Sequence, residues 1–190
     1  APPEPIRVEN SYVVVDARET FESFGRHPAI RECIPSIAEY NDAIAGWPIR
    51  ERATLGGNIC NASPIADMTT LLLAMESELL ISGPDSERWL PLSNFYLGYK
   101  RLAKTPEERV TLVRFPQREA GAFINWEKVS KRRVLDIATV NSAAKIRIEN
   151  GRIASATLAL GGVAATPLVL SDASEKLVGL PLDIDSIGTV

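Results

Sequence analysis

The sequence predicts an α+β fold in two subdomains: a mixed α/β part over residues 1 to about 117, and a three-stranded antiparallel sheet with a packing helix over about 118 to 190. Three observations carry this reading. From Phe21 to Ile44 the apolar positions Phe24, Ile30, Ile34, Ile37 and Tyr40 recur at helical spacing, while Gly25, Pro28 and Pro35 divide the run into two or three helical pieces. The stretch Arg52 to Asp67 joins a glycine pair to a Ser-Pro helix start. Asn150-Gly151 separates two alternating runs, Lys145 to Glu149 and Arg152 to Leu160, which is a two-residue hairpin signal.

The remaining elements follow in chain order. Ile6 to Glu9 and Tyr12 to Val15 read as strands turned by the polar pair Asn10-Ser11. Ser63-Pro64 opens a helix expected to run to about Glu76, with Met68, Leu71, Leu72 and Met75 on one apolar face. Glu78 to Ser82 is a strand, Gly83-Pro84-Asp85 a turn and Trp89-Leu90 a short strand. Leu92 to Tyr99 reads as a loop or short helix and Arg109 to Phe115 as a strand. Beyond Pro116, Ala122 to Val129 and Ile137 to Glu149 read as strands flanking the basic turn Lys131-Arg132-Arg133. Ser171 to about Leu180 is a short helix, and Pro181 to Val190 trails off without periodicity.

The sharpest chemical signal is the run Thr54-Leu-Gly-Gly-Asn-Ile-Cys-Asn-Ala-Ser-Pro-Ile-Ala-Asp67. Gly56 and Gly57 free the backbone to turn with positive φ and to bring N–H groups against a ligand oxygen. Thr54, Asn58 and Ser63 add short polar groups, and the helix after Ser63 directs its positive end toward the glycine pair, which suits an anion. The plainer alternative is a loop, a cap and an Asp67 that offsets the helix dipole. Arg50, Glu51 and Arg52 read as a solvated charge cluster, with Arg52 near enough to the glycines to be a weak candidate for ligand contact.

Composition excludes several function classes. The chain has 190 residues, is 45% hydrophobic and 24% charged, and carries a net charge of −3, with 24 acidic residues against 21 basic ones. That balance argues against a nucleic-acid partner, and no apolar run approaches the ~20 residues that span a bilayer. The opening Ala-Pro-Pro-Glu-Pro has neither the basic and apolar regions of a secretory signal nor an initiator methionine, so a processed, clipped or excised piece of a longer chain is expected. Cys33 and Cys60 are too few for an iron–sulfur cluster and read as free thiols in a reducing, cytoplasmic compartment. His27, beside Pro28, is the only histidine and reads as a surface or capping residue, so no catalytic residue and no metal site are assigned.

The Thr54 to Asp67 run resembles the second flavin-contacting motif of the FAD-binding domain of xanthine dehydrogenases and carbon monoxide dehydrogenase medium subunits. Asn94-Phe-Tyr-Leu-Gly-Tyr-Lys100, Glu127-Lys-Val-Ser-Lys-Arg-Arg133 with Asp136-Ile-Ala138, and Gly161-Gly-Val-Ala-Ala-Thr-Pro167 resemble further motifs of that family in the same chain order. The likeness is close from Ile44 to Leu182 and looser from Ile6 to Ala43. It implies a central flavin-binding subdomain followed by the C-terminal sheet. The family's first glycine-rich loop has no counterpart before Gly56, and its closing helices have none after Val190.

By resemblance, Thr54, Gly56, Gly57, Asn58, Ser63 and Asp67 match positions that contact ribityl, phosphate and ribose oxygens of FAD. Ile44 matches an apolar position near the adenine and Val110 one beside the flavin, while either Lys128 or Glu127 holds the place of a flavin-facing lysine. The function this implies is an oxidoreductase component of a molybdenum hydroxylase, active only with partner domains. FAD would take electrons from iron–sulfur clusters on a partner, whose molybdopterin centre oxidises the substrate, and pass them to NAD or another acceptor. The alternative is a flavin-free structural or assembly subunit. With one of the family's two phosphate-contacting loops, the isolated chain is expected to hold FAD weakly or not at all.

Overall fold

The computed structural model describes residues 3–183, 187 and 188. The expected tail, 181 to 190, therefore lies partly outside the described residues. Two antiparallel sheets flank a buried helix. The first contains β1 (Ile6–Glu9), β2 (Tyr12–Asp16), β3 (Glu78–Ser82), β4 (Glu87–Pro91) and β7 (Arg109–Pro116), in the order β1-β2-β7-β3-β4. A small ribbon pairs β5 (Tyr96–Gly98) with β6 (Arg101–Leu102). The second sheet contains β8 (Ala122–Val129), β9 (Val140–Glu149), β10 (Arg152–Gly161) and the two-residue β11 (Leu168–Val169), in the order β11-β10-β9-β8. Its fourth strand is an addition to the three expected from the sequence.

Both hairpins turn where the sequence placed them. Asn10 (φ 47°) and Ser11 (φ 66°) join β1 to β2, and Asn150 (φ 51°) with Gly151 (φ 73°) joins β9 to β10. Positive φ at both central residues matches the right-handed twist of the flanking strands. The run from Phe21 to Ile44 forms three helices: α1 (Phe21–Arg26), α2 (Pro28–Cys33) and α3 (Ile37–Ala43). Thr20 caps α1 by accepting from the Ser23 N–H at 3.1 Å, and Pro28 occupies the start of α2, where its missing N–H is not needed. His27 is the junction residue between these two helices.

Two short helices follow, α4 (Trp47–Arg50) and α5 (Leu55–Asn61), and then α6 (Asp67–Ala74). The last begins three residues later than Ser63-Pro64 implies, and its N-cap position is held by Ala66, with no side-chain cap. Ser63 instead accepts from the Ile65 N–H at 3.4 Å in the preceding turn. The expectation of a single apolar face on α6 is also corrected: every residue from Met68 to Ala74 is buried, Thr69 and Thr70 included. This helix lies beneath the second sheet and joins a core that spans both sheets, from Val13, Val113 and Phe115 to Trp126, Ala143 and Ala159. A helix enclosed on all sides buries apolar groups all round, and each fully buried Leu contributes ~1.5–3 kcal/mol. Ser171–Leu177 forms α7, which Ser174 anchors by accepting from the Leu158 N–H of β10 at 3.0 Å.

Candidate functional site

A cleft of about 890 Å³ opens between α4, α5 and the start of α6 on one side and β8 with the turn after it on the other. Of the residues singled out in the sequence, Ile44, Thr54, Gly57, Asn58, Ser63, Asp67 and Lys128 line it. Gly56 and Val110 do not. Val110 sits in β7 opposite Ile81 and packs on the core, so the structure places it away from the cleft. Glu127 points to the exposed side of β8, leaving Lys128 on the cleft wall.

The glycine pair works differently from a positive-φ cradle. Gly56 and Gly57 lie in the first turn of α5, and neither has positive φ. Three N–H groups of that turn are already used: Leu55 donates to Glu19 O at 3.0 Å, Gly56 to Ala17 O at 2.8 Å, and Gly57 to Thr54 Oγ1 at 3.1 Å. A Cβ on Gly56 would lie 3.0 Å from both Ala17 O and Ala17 Cβ, so the chain crossing behind α5 is what requires glycine there. At Gly57 a Cβ would stand 2.8 Å from Thr54 Oγ1 on the cleft wall, so any side chain both disturbs the cap and fills the cleft.

The uncommitted amides lie at α6 instead. Among the described residues, no acceptor outside the helix meets the N–H groups of Asp67, Met68 or Thr69. The side chains of Thr54, Asn58 and Ser63 also keep donors: each is engaged as an acceptor, from Gly57 N–H, Thr69 Oγ1 and Ile65 N–H respectively, which leaves its own O–H or N–H₂ available.

Asp67 and Lys128 form a buried staple between the two sides. Lys128 Nζ donates to Asp67 Oδ2 at 2.7 Å and to Ala43 O, at the end of α3, at 3.0 Å. Asp67 Oδ1 accepts from Asn141 Nδ2 of β9 at 2.6 Å. The Lys128 and Asp67 side chains are 6% and 14% exposed. Each carboxylate oxygen already accepts one hydrogen bond, so Asp67 ties the two sides of the cleft together.

Sequence reading missed two features. Arg50, read as solvated, is 8% exposed. Its Nε donates to Glu22 Oε2 at 2.7 Å, and its Nη1 donates to Ile44 O at 3.2 Å and Ala45 O at 3.0 Å. It thereby fixes the cleft wall at Ala45, a non-glycine residue with φ 50°. The second feature is the far wall, where Arg132, Leu135, Asp136, Ile137 and Ala138 face the cleft. Burial pushes the Asp136 carboxyl up, but hydrogen bonds from the Arg132 and Ile137 N–H groups and the Arg132 charge outweigh it and hold the group below its usual range. The exposed apolar residues Leu135 and Ile137 in a basic turn were the available signal.

A family described as the FAD binding domain in molybdopterin dehydrogenase matches residues 4–118. The chain belongs to this family. Residues 127–189 match the carbon monoxide dehydrogenase flavoprotein C-terminal domain, so the two walls of the cleft come from the two matched segments of the flavin-domain chain. The carbon monoxide dehydrogenase medium chain of Afipia carboxidovorans is 32% identical over 178 residues, covering 94% of this chain and 62% of the relative. The putative xanthine dehydrogenase FAD-binding subunit of Escherichia coli K12 is 29% identical over 183 residues, covering 96% and 63%. A solved carbon monoxide dehydrogenase from Hydrogenophaga pseudoflava superposes with a TM-score of 0.90 at 29% identity, covering 95% of this chain and 63% of that one. The present chain therefore spans less than two thirds of the length of these relatives. No helix among the described residues is long and apolar enough to cross a membrane.

Proposed function

We propose that the cleft holds FAD and that the chain is the flavin-carrying part of a molybdenum hydroxylase, relaying electrons from iron–sulfur clusters on a partner to NAD or another acceptor. The supporting observation is the pairing of apolar walls with uncommitted donors in one cleft. Its volume, about 890 Å³, lies within the ~300–1,000 Å³ of small-molecule and cofactor sites. Ile49, Leu135 and Ile137 present exposed apolar surface for flat rings, while Thr54, Asn58, Ser63 and the Asp67 and Met68 amides of α6 present donors to hydroxyl and phosphate oxygens. The cofactor, when bound, supplies the redox chemistry.

The residues of the chain hold and orient it. Gly57 keeps the wall clear, Arg50 fixes the turn at Ile44–Ala45, and the Asp67–Lys128 pair sets the distance between the walls. On a proposed division near residue 117, each wall belongs to its own subdomain and their docking forms the cleft. Two cysteines are too few for an iron–sulfur cluster, which supports clusters carried by partner domains or subunits, and the molybdopterin centre is proposed to lie there too. Titration of the chain with FAD, followed by flavin fluorescence, tests this reading. Saturable binding that Gly57→Val abolishes while the far-UV spectrum is kept supports it; a chain that takes up no flavin, alone or within its complete assembly, supports the flavin-free assembly role instead.

A further inference from the structure

We propose that Arg52 is the positioning residue for the anionic, phosphate-bearing part of the ligand, and that Lys128 is not a ligand cation. The proposal rests on the reading of the cleft as a flavin dinucleotide site and follows from a charge balance of its walls. The cleft is lined by three cations, Arg52, Lys128 and Arg132, and two carboxylates, Asp67 and Asp136. Lys128 is spent on Asp67 Oδ2 and Ala43 O, inside the protein. Arg132 is spent within its own turn: its Nε lies 3.7 Å from Asp136 Oδ2, and its Nη2 donates to Leu135 O at 2.9 Å.

The Arg52 side chain alone among these has no hydrogen-bond or ion-pair partner among the described residues. It is exposed, and it lies in the turn after α4, two residues before the Thr54 cap. Each carboxylate of the cleft has its own cation, so the wall carries one uncompensated positive charge. A guanidinium in that position presents a planar fork of donors that fits two phosphate oxygens at once, which an ammonium does not. The chemistry that complements it is a pyrophosphate or phosphate monoester attached to a group flat enough for the apolar walls. Riboflavin, with the same ring system and no phosphate, gains nothing from Arg52.

The test is calorimetric titration of the 190-residue chain and of its Arg52→Gln and Arg52→Lys variants with FAD, ADP and riboflavin, at low and at moderate salt. The expected result is a roughly ten- to hundredfold loss of FAD and ADP affinity in Arg52→Gln, partial retention in Arg52→Lys, and unchanged riboflavin binding. The FAD affinity of the parent chain also falls with salt more steeply than that of Arg52→Gln. Equal FAD and ADP affinities in parent and Arg52→Gln overturn the proposal and leave the flavin site standing. ADP binding that depends on Arg52, with no binding of FAD or riboflavin, supports the anion site and overturns the flavin reading. A parent chain that binds none of the three, alone or within its complete assembly, overturns both.

Discussion

Replacing Lys128 by Met removes the ammonium while keeping most of the stem, and isolates the buried staple as an energetic unit. Asp67 would keep Asn141 Nδ2 as its donor but lose the cation at 2.7 Å, with its side chain 14% exposed. Removing one partner of a buried ion pair costs ~3–5 kcal/mol, because the other charge remains in a poorly solvating site. The residual exposure of Asp67 favours the lower end, about 3 kcal/mol, which for a chain of this size lowers Tm by about 6–12 °C. Asp67→Asn should cost a similar amount, since it removes the carboxylate charge and leaves one amide oxygen to serve either Lys128 Nζ or Asn141 Nδ2. The double variant should be less destabilised than the sum of the singles by about 1–3 kcal/mol. Urea and thermal unfolding followed by circular dichroism measure all three. Single variants within about 0.5 kcal/mol of the parent, or a strictly additive double variant, would refute the staple.

Gly57→Val should lose flavin while remaining folded, because the new side chain enters the cleft and presses on Thr54 Oγ1; flavin content per chain and a far-UV spectrum check both parts. Arg50→Met should destabilise the chain by about 1–3 kcal/mol, because Glu22 keeps Arg26 at 2.7 Å while the Ile44 and Ala45 carbonyls lose their donor, and it should weaken FAD binding by loosening the Ile44–Ala45 wall; unchanged denaturation midpoints would count against it. The side-chain hydrogen bond from Arg18 is the main cause that holds the Asp16 carboxyl below its usual range. Asp16 is then more readily protonated in the unfolded chain, so its stabilisation is present above about pH 4 and is lost as pH falls through the lowered folded value. Arg18→Met should flatten that acid limb, and an unchanged pH profile of Tm would show that the contact contributes nothing.

Much of the architecture was legible because it is encoded locally. Asn10-Ser11 and Asn150-Gly151 adopt the positive φ values that their hairpins need, and Pro28 and Pro35 mark where the helical run breaks into α1, α2 and α3, whereas Gly25 lies inside α1, where the Asn41 side chain packs against it. Membership of the flavin-domain family was also readable, since the Thr54 to Asp67 run is long and chemically specific. What escaped depended on distant partners. Arg50 looks solvated until Glu22, from α1, is folded against it. Gly56 looks like a turn glycine until Ala17 passes behind it. The one-faced pattern assigned to α6 failed because the second sheet covers the side that the first part of the chain leaves open. Val110 was placed by motif order alone, and the strand register seats it opposite Ile81 instead.

The central claim is that the cleft between α4–α6 and the turn after β8 holds FAD. Amide hydrogen exchange of the chain with and without saturating FAD, resolved by peptide, tests it most directly. Slowed exchange is expected in three separated segments, 44–58, 65–69 and 131–138, with β4 and α7 unchanged. Protection confined to β4, β10 and α7, around the second cleft of about 610 Å³, would place the ligand elsewhere and contradict it.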